Sequence, residues 1–500
     1  MKRTLGYRFR RTTLVAVFCA SIIAGLGISR IVEFGILSVA ASLTLLVCFA
    51  YTRRLVVFVA AILAGLCLGG FQGSIYMQKL AAYEQVNNQK VTIIGQAAGD
   101  AAYNQRSQVS FVLKNARVQG RDSLALVGKI GVSGFGENMV FRGDTIEVTG
   151  TLRPGTGSRQ GWMSYAQMKV IERETSVIEK VRREFGAGMM TALPEPLASF
   201  GLGLLVGQRT TLPDEVYQDL LKVGLVHIIA VSGYNLTIIL RACWRLLGDR
   251  SKYQTMILSV TLICTFLLIT GASASIVRAS IVSGLSILAW YYGRTFKPVT
   301  LILLAAAITS LANPLYVWSD LGWYLSFLAF YGVLVLAPQI RYRWIPERLR
   351  GSVLFCIALE SLCAEIMTLP LVLYIFGQMS HISLLANVVI AAFVPFAMLL
   401  TVIAGLAGMF LMPVAGWVAW PATMLLTYML DAARLLAGIP GVFQEGIGFT
   451  LLGMVGAYAV IVLLNVAVYS RLRRNRAIIT ALNEEHTLLR LSSAQAGQSR

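Results

Sequence analysis

Charge is scarce in this 500-residue sequence: Asp, Glu, Lys and Arg together make up 13%. Soluble domains carry about 25%, so a wholly soluble chain is a poor reading. Acid is scarcer than base, 24 residues against 43, which leaves a net charge of +19. Histidine is rarer still, with three residues, His227, His381 and His486, far apart along the chain. The seven cysteines, Cys19, Cys48, Cys67, Cys243, Cys264, Cys356 and Cys363, all sit in apolar runs. That placement argues against a disulfide framework, and no Cys-x2-Cys metal signature is present. No Gly-x4-Gly-Lys-Ser/Thr run occurs, so a P-loop ATPase is not encoded in the sequence.

What the sequence has instead is apolar length. Hydrophobic residues make up 56%, and runs of about 20 recur, enough to cross a bilayer as helices. Three spans come first, near Leu14–Ser29, Phe34–Ala50 and Leu55–Tyr76. The basic N-terminus superficially looks like a signal peptide, but two spans follow closely, so it reads as a retained first helix. Lys2, Arg3, Arg8, Arg10 and Arg11 place the N-terminus inside, as do Arg53 and Arg54 the second loop. Ala61, Gly65, Gly69 and Gly73 form a small-residue ridge suited to close helix packing.

From about Lys79 to Ser176 the pattern changes to short, alternating, Gly-punctuated segments. Strands are expected at Lys90–Ala97, Gln108–Gln119, Leu124–Ser133, Asp144–Leu152 and Gln167–Thr175. Five strands in about 95 residues suit an OB-type barrel, placed outside the membrane by the span count. Val177–Gln208 reads as an amphipathic helix and a short apolar piece divided by Pro194 and Pro196, expected at the interface or re-entrant. Nine more spans fit the rest, near Leu225–Leu247, Gln254–Gly271, Ser275–Tyr292, Val299–Ala312, Leu315–Ala337, Val353–Phe376, Ser383–Leu411, Val414–Ala437 and Phe449–Tyr469. Inside loops then fall at Arg250/Lys252, Arg294/Lys297 and Arg341/Arg343/Arg348/Arg350, with a basic tail at Arg471, Arg473, Arg474 and Arg476.

The expected fold is therefore a polytopic all-α membrane bundle of about twelve spans with an inserted extracytoplasmic all-β OB-like domain. Its parts are 1–78 (three helices), 79–176 (β domain), 177–210 (amphipathic and interfacial helices), 211–470 (channel-type helical domain) and 471–500 (cytoplasmic basic tail). Both termini are cytoplasmic on this reading.

Ionisable residues inside spans are expensive, roughly 3 kcal/mol each at the bilayer centre, and often functional. Here they are His227, Arg278, Asp320, Glu360, Glu365, Asp431 and Arg434. Together they would line a polar path opening outwards; alternatively, Arg278–Asp320 and Asp431–Arg434 are structural ion pairs. Val231-Ser232-Gly233-Tyr234-Asn235 and Gly271-Ala272-Ser273-Ala274-Ser275 interrupt apolar runs, as cavity-lining or tightly packed backbone does. Hydrolysis by His227 and Ser232 is disfavoured, because they stand five apart without a nucleophile elbow.

Four stretches resemble the ComEC competence family in order. Gly201–Gly233 carries a Gly-Gln pair ending at Gln208, a Leu-Pro step, and Gly-Leu-x-His227-(apolar)2-Ala-x-Ser232-Gly. GASASIVRAS contains Arg278, DLGWYLSFLA contains Asp320 and Ser326, and LPLVLYIFGQMSHISLLAN contains Gln378 and Asn387. The resemblance implies a channel carrying single-stranded DNA across the cytoplasmic membrane, with the outer domain receiving the strand. The path candidates are Gln208, His227, Ser232, Asn235, Arg278, Asp320, Ser326, Glu365, Gln378 and Asn387. Asn235 stands where the family often has His, so a metal or proton role there is in doubt. Many members end in a metallo-β-lactamase-like domain, and the three histidines here cannot build its centre. The chain is accordingly expected not to be an enzyme, to need no cofactor, and to rely on a DNA receptor, a separate nuclease and a cytoplasmic ATPase or DNA-binding protein. A transporter of another anionic polymer or small solute is the competing reading. The outer domain offers cations (Arg106, Lys114, Arg117, Arg121, Lys129, Arg142) and aromatics (Tyr103, Phe111, Phe135, Trp162, Tyr165), the two ingredients of single-strand binding. Phe111 is expected in its core.

Overall fold

In a computed structural model of the chain, the described residues are 10–472, apart from 45–54, 104–107, 121–123, 137–138, 208–211, 230–235, 237–239, 241–250, 271–272, 294–296 and positions 39, 43, 156 and 351. The chain divides into two compact units, Met1–Lys180 with Leu303–Tyr324, and Val181–Ile302 with Leu325–Arg500. Among the described residues seven helices are long and apolar enough to cross a membrane: Arg11–Ile28, Val56–Tyr83, Ala274–Tyr291, Leu321–Trp344, Phe355–Phe376, Ser383–Phe410 and Leu451–Val468. Shorter apolar helices run over Leu197–Val206, Lys252–Leu268 and Pro298–Ala312. About half of the expected span at Phe34–Ala50, and most of that at Leu225–Leu247, lie outside the described residues.

In the first unit, the helices Arg11–Ile28 and Leu55–Leu80 pack along the small-residue ridge. A Cβ on Gly65 would come 2.6 Å from the Phe18 carbonyl oxygen, and one on Gly69 would collide with that of Ile22. Glycine lets the two backbones touch where any side chain would hold them apart. Side chains then tie the 303–324 segment to this pair. Trp318 Nε1 donates to Leu26 O (2.8 Å) and Gln72 Nε2 to Leu311 O (3.1 Å).

The β region has five long strands, β1 (Lys90–Ala97), β3 (Val109–Val118), β5 (Ile130–Phe135), β6 (Thr145–Pro154) and β7 (Gly161–Glu172). Two-residue strands β2 (Ala102–Tyr103) and β4 (Ala125–Leu126) add onto β3. The strand order is β1-β6-β7-β5-β3, and β3 pairs back to β1, so the sheet closes on itself. Every pairing is antiparallel except β5 with β7. Ile93, Leu113, Ile130, Val132, Ile146, Val148, Leu152 and Met163 fill the interior with no exposed surface. The expected last strand at 167–175 begins six residues earlier, at Gly161. Alternation hid it, because a bulge at Tyr165 (φ 55°) puts Ser164 and Tyr165 consecutively between inward Met163 and Ala166.

In the second unit, all ten residues of Leu197–Val206 are buried, against Val394–Phe410 and Ala415–Ala437. At about 15 Å it reaches only half of a ~30 Å hydrocarbon core, and protein encloses it. The expected span Leu315–Ala337, which begins in the first unit, is broken. A short helix Leu315–Ser319 stops at extended Asp320 (φ −96°, ψ 96°), whose Oδ1 accepts the Gly322 N–H at 2.9 Å. That carboxylate starts a new helix, which continues through a π-turn at Gly332–Leu336 as far as Trp344.

Asp144 ties the start of β6 to the end of β7. It is fully buried; Oδ2 accepts from Phe141 N (3.0 Å) and Arg173 Nη1 (2.8 Å), and Oδ1 from Glu174 N (2.9 Å). Replacing it leaves the Phe141 and Glu174 N–H groups without this acceptor, a loss of about 3 kcal/mol. Asp144→Ala is therefore expected to expose residues 79–176 to limited proteolysis in the full-length protein, at a protease level that leaves wild-type intact. Wild-type resistance in the variant would refute this role.

Candidate functional site

Two of the four family-like stretches meet at Arg278. This residue lies one turn into the helix Ala274–Tyr291, among small neighbours Ala274, Ser275, Ala279 and Ser280, and is 3% exposed. A buried guanidinium needs acceptors nearby. Nη2 donates to Ser326 Oγ at 2.8 Å, on the helix Leu321–Tyr331. Asp320 belongs to the first unit, where its carboxylate caps a helix start.

The other two stretches meet at Gly224. The helix Asp214–Lys222 ends in a left-handed turn, with Gly224 at φ 76° and its N–H on Leu221 O (3.0 Å). A Cβ there would lie 2.7 Å from Ser383 Cβ and 3.4 Å from Ser380 Cβ. His227 follows, with Nδ1 3.1 Å from Gly224 O and its ring exposed. Ser383 Oγ donates to Glu365 Oε1 in a short hydrogen bond. Asn387 lies one turn beyond Ser383 on the same short helix, Ser383–Val389, and is buried. Gln378 points elsewhere: its Nε2 is 3.5 Å from Glu445 Oε1, beside the two-stranded ribbon of β8 (Met379–Ser380) and β9 (Phe443–Gln444).

The structure thus brings Arg278 together with Ser326, and Glu365 with Ser383 close to the Gly224 turn. Ser383 was not singled out from sequence; its signal lay inside the Ser-His-Ile-Ser run, where two serines flank a histidine. Asp431 and Arg434 are exposed on the Ala415–Ala437 helix and form no ion pair among the described residues. Gln208, Ser232 and Asn235, with most of the Val231–Asn235 and Gly271–Ala272 breaks, lie outside the described residues.

On the barrel, Phe111 is in the core (5% exposed), and Arg142 Nε lies 3.5 Å from Glu179 Oε1. Phe135 and Tyr165 are 54% and 63% exposed. The Trp162 ring covers Gly131, leaving no room there for a Cβ, and the Arg159 guanidinium sits 4.7 Å from the ring centroid. Arg106 and Arg121 fall outside the described residues.

The family model for "Competence protein" matches residues 204–471, more than half of the chain. The chain belongs to the competence protein family. It is a membrane protein with several apolar helices. It is similar to ComE operon protein 3 of Bacillus subtilis (strain 168), 29% identical over 216 residues, 43% of this chain. The match spans 27% of that relative's length. No solved structure matches. The matched region holds both meeting points, Arg278 with Ser326 and Gly224 with Ser383 and Glu365.

Gly224 joins those stretches sterically, so a single methyl group tests the contact. Gly224→Ala meets both a left-handed backbone and the Ser383 side chain, and is expected to cost about 1–3 kcal/mol. Gly186→Ala, where nothing lies within 4 Å, is a helical control expected to stabilise slightly. Thermal unfolding in detergent compares the two; equal midpoints would mean that the Gly224 approach is not a constraint.

Proposed function

We propose that this protein carries single-stranded DNA across the cytoplasmic membrane during DNA uptake. The observation that carries the reading is the competence family match over residues 204–471. Within it, polar groups are drawn into an otherwise apolar helical unit and partnered there: Arg278 by Ser326, Glu365 by Ser383. Intramembrane ionisable groups of this kind mark solute paths. Arg278 is the phosphate-facing candidate, since a guanidinium matches phosphate geometry.

On the same reading the chain crosses the membrane about twelve times, with both termini in the cytoplasm and the β domain outside. The closed ring β1-β3-β5-β7-β6, with its one parallel pair, supports an OB-type barrel. A DNA receptor delivers the strand, and a cytoplasmic ATPase or DNA-binding protein draws it in. A separate protein degrades the complementary strand.

Uptake of labelled DNA into the cytoplasm is the test. Deleting the gene is expected to abolish it, and undiminished uptake would reject the function. Arg278→Gln is expected to reduce uptake roughly tenfold or more, the loss of a charge-assisted contact worth about 1.5–3 kcal/mol. Protein abundance in the membrane should stay near wild-type, and Ser326→Ala should give a smaller loss. Flux of a non-nucleic anion through the reconstituted protein, without DNA binding, would favour a different transported solute.

A further inference from the structure

Four arginines crowd the hairpin between two apolar helices, and its own backbone occupies two of them. The helices Leu321–Trp344 and Phe355–Phe376 are each long and apolar enough to cross a membrane. At 1.5 Å per residue the first runs about 36 Å, more than a ~30 Å hydrocarbon core. The short connection between them, 345–354, is therefore held at the level of the lipid headgroups.

Arg350 fastens this hairpin. Its Nε donates to Ile345 O (2.8 Å) and its Nη2 to Tyr342 O (3.2 Å), and its guanidinium lies 5.7 Å from the Tyr342 ring centroid. Arg341 Nη2 donates in turn to Arg350 O. These two arginines satisfy carbonyls that the end of the first helix and the turn leave without a backbone partner. On the far side Ser352 Oγ accepts from Phe355 N (3.4 Å) and starts the second helix.

Arg343 and Arg348 are left over. Both are exposed, and neither bonds a carbonyl of the hairpin among the described residues. The Arg343 guanidinium lies 5.8 Å from the ring centroid of Trp344, which ends the first helix and is 65% exposed. Glu347 is the one acid between positions 338 and 352, and it stands 3.9 Å from Arg350 Nη1. A tryptophan at this depth, apolar in body with one N–H, suits the headgroup layer and fills no core. Exposed guanidinium groups on the same turn match phosphate. Positive charge sets orientation in a membrane by number alone. It does not require two arginines to lock a turn on which two others and a tryptophan are exposed.

We propose that this hairpin binds an anionic phospholipid, with Arg343 and Arg348 on the headgroup phosphate and the Trp344 ring at the glycerol level beneath it. A single nucleic-acid strand also offers phosphate, but the two flanking spans fix the hairpin at headgroup depth, where lipid phosphate is always present. On the twelve-span reading the leaflet is the cytoplasmic one; the binding itself does not depend on that.

The test mixes full-length protein in detergent with phosphatidylglycerol or with phosphatidylcholine of the same acyl chains and counts lipid adducts by native mass spectrometry. The wild type is expected to retain phosphatidylglycerol in preference to phosphatidylcholine. Arg343→Gln/Arg348→Gln is expected to weaken phosphatidylglycerol binding roughly tenfold or more. Lys90→Gln/Lys129→Gln removes the same charge from exposed positions on the β domain and should leave the binding unchanged. An unchanged thermal transition of the arginine variant without added lipid shows that the hairpin remains folded. Equal retention of the two lipids by the wild type, wild-type binding by the arginine variant, or an equal loss in the lysine variant overturns the proposal. Displacement of the lipid by an equal concentration of oligothymidylate also overturns it and assigns the surface to a nucleic acid. None of these outcomes bears on DNA uptake, which the deletion strain tests separately.

Discussion

Inside a bilayer no water reaches a polar group, so each one that enters must find its partner in the protein. The side-chain hydrogen bonds of the apolar helices follow from that constraint. Hydroxyls within apolar helices fold back onto the preceding turn: Ser21 onto Val17 O, Thr270 onto Phe266 O, Thr309 onto Ala305 O, Thr368 onto Ala364 O. Longer side chains bond across to carbonyls of other helices, as Gln72 does to Leu311, Trp318 to Leu26, and Tyr458 to Met367. Buried Arg278 and half-buried Glu365 belong to the same set, and each has a serine from another helix against it. A buried charge of this kind costs about 2.5–3.5 kcal/mol on insertion scales. Helix packing alone gives no reason to retain one, since an apolar residue of similar volume would pack as well or better.

The same constraint decides how the helices pack. Lipid tails are as apolar as leucine, so burying leucine against leucine gains little between helices. Close contact gains more, and it requires small residues. Gly25, Gly65 and Gly69 bring two helices of the first unit into backbone contact, and Gly188, Gly405 and Gly408 do so between the amphipathic helix Val177–Ala192 and Val394–Phe410.

Much of this was legible in the sequence, because apolar length and the ridge from Ala61 to Gly73 are local signals. Strands β1 and β6 were readable for the same reason: alternation persists through Lys90–Ala97 and Thr145–Leu152. The start of β7 was not, since one bulged residue at Tyr165 shifts the alternation out of phase. The break at Asp320 was missed for a related reason. Hydropathy sums over a window, and a single capping carboxylate between apolar flanks barely changes the sum, although it ends one helix and starts another. Partnership was the least legible level. Arg278 stood out by its charge, but that its neighbour is Ser326, and that Glu365 finds Ser383, depends on helix rotation and depth, which no sequence spacing encodes between separate helices.

Outside lipid the rule reverses, and the barrel shows it. Water can satisfy exposed polar groups there, so the informative observation is an apolar one. Exposed rings on Phe135 and Tyr165 cost solvation that the barrel's filled interior does not require, just as the buried charges cost insertion energy that helix packing does not require. Each unit therefore carries groups that its own stability does not explain. They are of opposite kinds: cation and carboxylate among apolar helices, aromatic rings on a polar surface. Those groups, and not the packed ones, are where substitution tests function separately from stability.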